Sequence, residues 1–304
     1  MSISMHRSAE AQSRAKAFKL AQSVPLPLLV AIQKSVKNKF EKQVSRSGYS
    51  MCSLKQVAQI PSLGKEVQSL IKQFTGRSKL LWQALGTIWP EIKEMHMDIK
   101  VHNSPKFHVG TAGPGMVYIT LQTFQDVLRL SPKGRKQALN RLTGILAHEL
   151  GHNFMRHILQ KSIQYLQKPN KYHDNYYPTL DNKSKQLLQD VINKMPTTPL
   201  SNHQKEFEAD TIGDLLITIA KRSNKNWGTP NIMYDLWTNF FPSLKPENVD
   251  LVRKSHPSYR QRQLQAARVT CCLYSAIVTH RTTDVTSPVM REKLLDTIPT
   301  KSNL

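Results

Sequence analysis

Residues 145–157 read ILAHELGHNFMRH, and three of them can do chemistry together. His148 and His152 are four apart, so on a helix their imidazoles leave one face and can grip a single divalent cation. Glu149 stands about 100° around from His148, beside such a cation rather than on it. There its carboxylate can take the proton of a metal-activated water. Gly151, between the histidines, permits close backbone approach from a neighbouring element. The pattern predicts a zinc hydrolase site, with one zinc per chain.

Two imidazoles leave that site incomplete, because catalytic zinc takes three protein ligands and keeps one position open. The chain is poor in acids, yet HQKEFEADTIGD places Glu206, Glu208, Asp210 and Asp214 within nine residues. Glu206 and Asp210 are i,i+4 and share a helix face, whereas Glu208 points elsewhere. On spacing alone either Glu206 or Glu208 could complete the site, and a salt-bridged surface face is the competing reading of the cluster.

These residues need rigid elements. Val67, Leu70, Ile71 and Phe74, then Leu80, Leu81, Leu85 and Ile88, recur at helical steps, so residues 62–88 are expected to form a helix. Short strands are expected at Ile99–His102, Phe107–Val109 and Val117–Thr120, separated by Ser104-Pro105 and Gly113-Pro114-Gly115 turns. Ser131-Pro132 reads as N-cap and first turn of a long helix carrying the His pair. Residues 168–184, rich in Pro, Asn and Tyr, read as a surface loop, with Tyr172, Tyr176 and Tyr177 as loop packing or a lid. Another helix runs from Ala209 to about Ile219. The fold class is α+β and mainly helical, with a small sheet against the His-bearing helix. The expected organisation is a basic extension over 1–64, a catalytic domain over 65–280 with an insertion or lid at 168–200, and a loose tail over 281–304.

LAHELGH, then EFEAD some fifty residues on, then SHPSYRQR, together resemble the gluzincin metallopeptidases that include HtpX, the CAAX prenyl proteases and the mitochondrial Oma-type proteases. MVYITLQTFQDVL resembles that family's strand and following helix, so the likeness spans roughly residues 65–270. It implies a zincin-like (gluzincin) catalytic domain that hydrolyses peptide bonds in protein substrates. His148, His152 and Glu206 would be the zinc ligands, Glu149 the general base, and Asp210 the carboxylate that orients a ligating imidazole. His256 and Arg262 would stabilise the tetrahedral intermediate. The chain departs from the family in having Lys106-Phe107-His108 where an Asn-Ala-Phe-like strand stands, and in the stretch between His157 and Glu206. Family members are commonly membrane proteins, and no spanning helix is readable here, so a soluble, minimal form is implied. Prenyl-protein processing is not expected. Substrate would add as a strand along Phe107–Val109 or Val117–Thr120.

Composition frames the rest. The 304 residues carry 43 Lys+Arg against 21 Asp+Glu, a formal charge of +22, yet no nucleic-acid-binding signature accompanies the charge. Specific nucleic-acid binding is therefore not expected. Residues 1–65 hold eleven Lys/Arg against only Glu10 and Glu41, which suits a solvated arm, an organellar transit segment or peripheral contact with an anionic membrane. Leu20–Gln33 is too short to span a bilayer and lacks a convincing signal-peptide cleavage site. A soluble, intracellular (cytoplasmic) location is expected, with a mitochondrial or membrane-associated one as the alternative. Cys52, Cys271 and Cys272 offer neither a disulfide framework nor a Cys-x-x-Cys metal site. The rival to the protease is a basic lipid- or nucleic-acid-binding protein with a structural or vestigial zinc site.

Overall fold

The computed structural model describes residues 22–155, 157, 181–194, 202–223, 231–251, 256–279 and 285–299, together with Lys16 and Lys19. Residues 168–180, with their three tyrosines, and residues 1–21 other than Lys16 and Lys19 lie outside the described residues. The arrangement is mainly helical around one four-stranded mixed sheet, an α+β fold.

The sheet comprises β1 (Met51–Ser53), β2 (Asp98–His102), β3 (Val109–Gly113) and β4 (Met116–Thr120), in the order β1-β2-β4-β3. β2 and β4 run parallel, with Ile99 opposite Val117 and Val101 opposite Ile119; the outer pairs are antiparallel. The period-2 alternation sends Ile99, Val101, Val117 and Ile119 into the core. The expected edge Val117–Thr120 is an interior strand, paired on both sides. The segment expected as strand at Phe107–Val109 instead leads into it: the edge strand runs Val109–Gly113. Its register against β4 shifts between Thr111 and Gly113, the local bend of a bulge.

Helix α1 (Leu26–Arg46) and α2 (Gly64–Ile88) precede the sheet, and α3 (Leu121–Arg129) follows it. The central α4 spans Arg135–Phe154 and is buried on nearly every side from Ala138 to Gly151. A helix buried all round must satisfy its polar side chains internally. Accordingly Arg77 donates to Asn140 Oδ1 (2.6 Å), Arg141 donates to Asp235 (3.0 Å), and Thr143 bonds back to the Leu139 carbonyl (2.6 Å). The helix starts later than Ser131-Pro132 implied. Ser131 Oγ donates to the Val127 carbonyl of α3 (2.6 Å) and accepts from Arg141 (3.3 Å) rather than from a helix N–H, and a turn ending at Gly134 (φ +70°) intervenes.

Then come α5 (Asn182–Lys194), α6 (Asn202–Ser223), α7 (Tyr259–Thr279) and α8 (Pro288–Leu295). Part of the expected insertion is thus a helix, α5, with Leu188 and Val191 buried. The boundary expected at residue 64 does not separate two bodies: Val24, Leu28, Leu29, Leu54 and Val57 belong to the same core as α2, α4 and α6, and β1 is part of the sheet. Nor is the C-terminal segment loose over 285–299. Met290 and Leu294 are core residues, and Arg291 donates to the Ile88 carbonyl (2.7 Å). Among the described residues no helix is long and apolar enough to cross a membrane.

Candidate metal centre and cleft

α4 and α6 pack more extensively than any other pair of elements, and the contact is close because of two glycines. A Cβ on Gly151 would strike the Ala209 carbonyl and stand 2.8 Å from its Cα; one on Gly213 would stand 3.1 Å from the backbone nitrogen of His148. With no side chain at either position, the acids of α6 reach the imidazoles of α4.

The outcome is a compact donor set. His148 Nε2 lies 3.4 Å from Glu206 Oε2, His152 Nε2 lies 3.5 Å from Glu206 Oε1, and the two Nε2 atoms are 3.1 Å apart. Four ligands about 2.0–2.1 Å from one zinc stand about 3.3 Å from each other by tetrahedral geometry. Two imidazoles and a carboxylate suit a divalent cation such as zinc, and one atom from each residue lies within 4.8 Å of the others. Electrostatics agree. Burial and Arg262 oppose a charge on His148, yet Asp210 and Glu206 outweigh them and hold its protonation up at about 9. Carboxylates that would keep a proton there equally favour a cation in its place.

Glu206 is itself kept ionised. Burial would raise its carboxyl, but Arg262, His152 and His148 hold it well below the usual range. Asp210 is likewise lowered against burial, chiefly by Arg262 and His148. Arg262, from α7, is the tie between them. It meets Asp210 in a bidentate pair (2.8 and 2.7 Å), reaches Glu206 at 3.0 Å, and lies over the Trp237 ring with its carbon 3.5 Å from the centroid. Asp210 also accepts from His148 Nδ1 (2.9 Å).

Glu149 sits beside the donor set. Burial pushes its carboxyl up, opposed by the charge of His148 and by the hydroxyl of Thr111, which donates to Oε2 at 2.8 Å. Thr111 is on the edge strand β3, and Asn153 ties the same helix to the strand turn by accepting from the Gly115 N–H (2.6 Å). The sheet edge and the His-bearing helix are therefore locked in register.

A cleft of about 270 Å³ opens over these groups and is lined by His148, Glu149, Glu206, His256 and Arg262. His256 is more than half exposed, 3.8 Å from Glu206 Oε1. All seven residues singled out by sequence thus gather around one point. Others were missed. The cleft's aromatic wall is Trp237 stacked on Phe241 (4.5 Å, 13°), with Tyr259 and Phe107 against Phe241. Leu236–Phe240 is a π-helical turn, an irregularity favoured at functional sites. His108 and Lys245 also line the cleft. Glu208 is not part of the donor set; it is fully buried and bonds to His157, which in turn meets His152. Phe107 and His108 lie in the segment expected as a substrate edge, but nothing in the spacing of Trp237, Phe241 and Lys245 marked them, and His157 stands out only by following the HExxH pair.

The sequence model of peptidase family M48 matches residues 99–269, more than half of the chain, and the chain belongs to that family. The matched span contains every residue of the centre. The protein is accordingly a metallopeptidase, a hydrolase of peptide bonds in protein or peptide substrates. No match is found among curated proteins or among solved structures.

Proposed function

We propose that the protein is a zinc metalloendopeptidase in which His148, His152 and Glu206 hold the metal and Glu149 is the general base. The observation that carries this reading is the donor set: two imidazole nitrogens 3.1 Å apart, each within 3.5 Å of a carboxylate oxygen of Glu206, with all three residues able to offer one atom to a single cation. Zinc, when bound, supplies Lewis acidity toward the scissile carbonyl and makes water acidic enough to act as a nucleophile near neutral pH. Glu149 takes the proton of the attacking water at its carboxylate and returns it to the leaving amine. The Thr111 hydroxyl keeps that carboxylate aimed and lowers its basicity. Asp210 fixes the His148 ring by accepting from Nδ1.

His256 and Arg262 donate to the carbonyl oxygen as charge develops, a role supported by their place on the cleft wall. Arg262 also holds Glu206 and Asp210 ionised. Substrate extends along β3, which among the described residues pairs with β4 alone and so keeps one edge for a further strand. The aromatic wall beside it favours a large apolar side chain next to the scissile bond.

Metal analysis of the purified chain with a peptide library tests this. About one zinc per chain and chelator-sensitive hydrolysis are expected. Glu149→Gln should keep the zinc and lose at least about 100-fold in turnover; full activity in that variant would remove Glu149 from the mechanism. A chain that binds no zinc would overturn the reading.

A further inference from the structure

Each ligating imidazole must keep its inner nitrogen bare, and the two histidines are held by different means. His148 Nδ1 meets a carboxylate directly, Asp210 at 2.9 Å. His152 Nδ1 meets no carboxylate. It faces Nδ1 of His157 at 2.8 Å, and Nε2 of His157 in turn reaches Glu208 Oε2 at 2.8 Å. His157 is 3% exposed and Glu208 is 0% exposed, so the whole link is shut away from water.

The proton order along this chain follows from elementary donor chemistry. Two ring nitrogens at that distance share one hydrogen, so one donates and the other accepts. A ligating His152 needs Nε2 bare, so His157 Nδ1 accepts from His152 Nδ1–H and His157 gives its Nε2–H to Glu208 Oε2. His152 must then carry its hydrogen on Nδ1, and its Nε2 is bare where it faces Glu206 and His148. The reverse order would put a hydrogen on His152 Nε2, in the middle of the donor set, where a ligand has to be deprotonated.

We infer that Glu208 and His157 are positioning residues for His152: a two-link relay that sets its tautomer and ring orientation, as Asp210 does for His148 in one link. The inference rests on the metal-centre reading above. It also accounts for both acids of EFEAD that are not ligands, since Glu208 and Asp210 each serve one imidazole.

The test uses the full chain loaded with zinc and the variants Glu208→Gln and His157→Ala. Zinc loss to a chromogenic chelator is measured, and the imidazole tautomers of the chelator-stripped chain are read from ¹⁵N spectra. Glu208→Gln keeps volume and hydrogen bonding, but its amide can donate as well as accept, so the relay loses its direction. A roughly tenfold to hundredfold weaker hold on zinc is expected, with His152 divided between Nδ1–H and Nε2–H while His148 keeps its Nδ1 hydrogen on Asp210. His157→Ala should weaken zinc by at least as much. Wild-type zinc retention and an unchanged His152 tautomer in Glu208→Gln would overturn the relay while leaving the centre intact. A wild-type chain that takes up no zinc would overturn the centre and the relay with it.

Discussion

Thr111 decides how strong a base Glu149 can be. Burial already pushes the Glu149 carboxyl up, and the Thr111 hydroxyl opposes that by donating to the ionised form. Thr111→Val should therefore raise the carboxyl further. Because a base works only when ionised, the acid limb of the kcat/KM profile should move to higher pH, which a pH–rate series would detect. Arg262 acts on two carboxylates at once. Arg262→Ala would leave Glu206 and Asp210 buried without their shared cation, at a cost of about 3–5 kcal/mol seen in denaturant unfolding. Arg262→Lys should recover only part of this, since a point charge cannot reproduce the bidentate contact with Asp210. At this scale the sequence was most readable: His148, Glu149 and His152 followed from i,i+4 spacing. Glu206 over Glu208 did not, because both lie on a helix whose rotation about its axis no spacing reveals.

Between elements the decisive feature is the closeness of α4 and α6. Gly151 faces the Ala209 backbone so tightly that a methyl group has nowhere to go. Gly151→Ala should push the helices apart, costing about 1–3 kcal/mol and weakening zinc binding, both readable from melting curves with and without metal. Gly76 provides the contrast. It lies within α2, and a Cβ there would meet nothing within 4 Å. Gly76→Ala should stabilise the protein by about 0.5–1 kcal/mol without touching the metal. Sequence placed the helices 62–88 and the strands near 99 and 117 well. It misplaced the start of α4, since the hydroxyl of Ser131 bonds backward to α3, a choice between partners that local propensity does not record. The edge strand was also shifted, because Gly113 reads as turn with Pro114 and Gly115 until β4 is there to pair with it.

For the molecule as a whole, +22 spread over the chain says little about the reaction, but a few of the scarce acids, Glu149, Glu208, Asp210 and Asp214 among them, are buried at its centre. Asp214, one turn beyond Asp210, is pushed up to about 8 by burial and by the charge of Asp210, against the pull of Lys221. The native state therefore holds a proton that the unfolded chain releases near pH 4. The stability this confers is complete below about pH 4 and is lost as pH rises toward about 8. Across that window the wild type should lose up to about 1.4 kcal/mol per pH unit relative to Asp214→Asn. Below about pH 4 the two should run parallel, as chemical denaturation at a series of pH values would show.

By itself the sequence determined the chemistry available: a His pair and a base on one helix, an acidic segment downstream, and neither a disulfide framework nor a Cys-x-x-Cys metal site. Those are properties of neighbours along the chain, and helical periodicity expresses them directly. Only the tertiary structure decided which acid meets which imidazole. Glu206 joins the donor set, Asp210 holds His148, and Glu208 reaches His152 through His157. It also decided that residues 24–57 and 285–299 belong to the core and that a π-helical turn supplies the cleft's aromatic wall. Those contacts join residues tens to hundreds of positions apart. They depend on how far two helices approach and how each is rotated, which packing fixes and spacing along the chain does not.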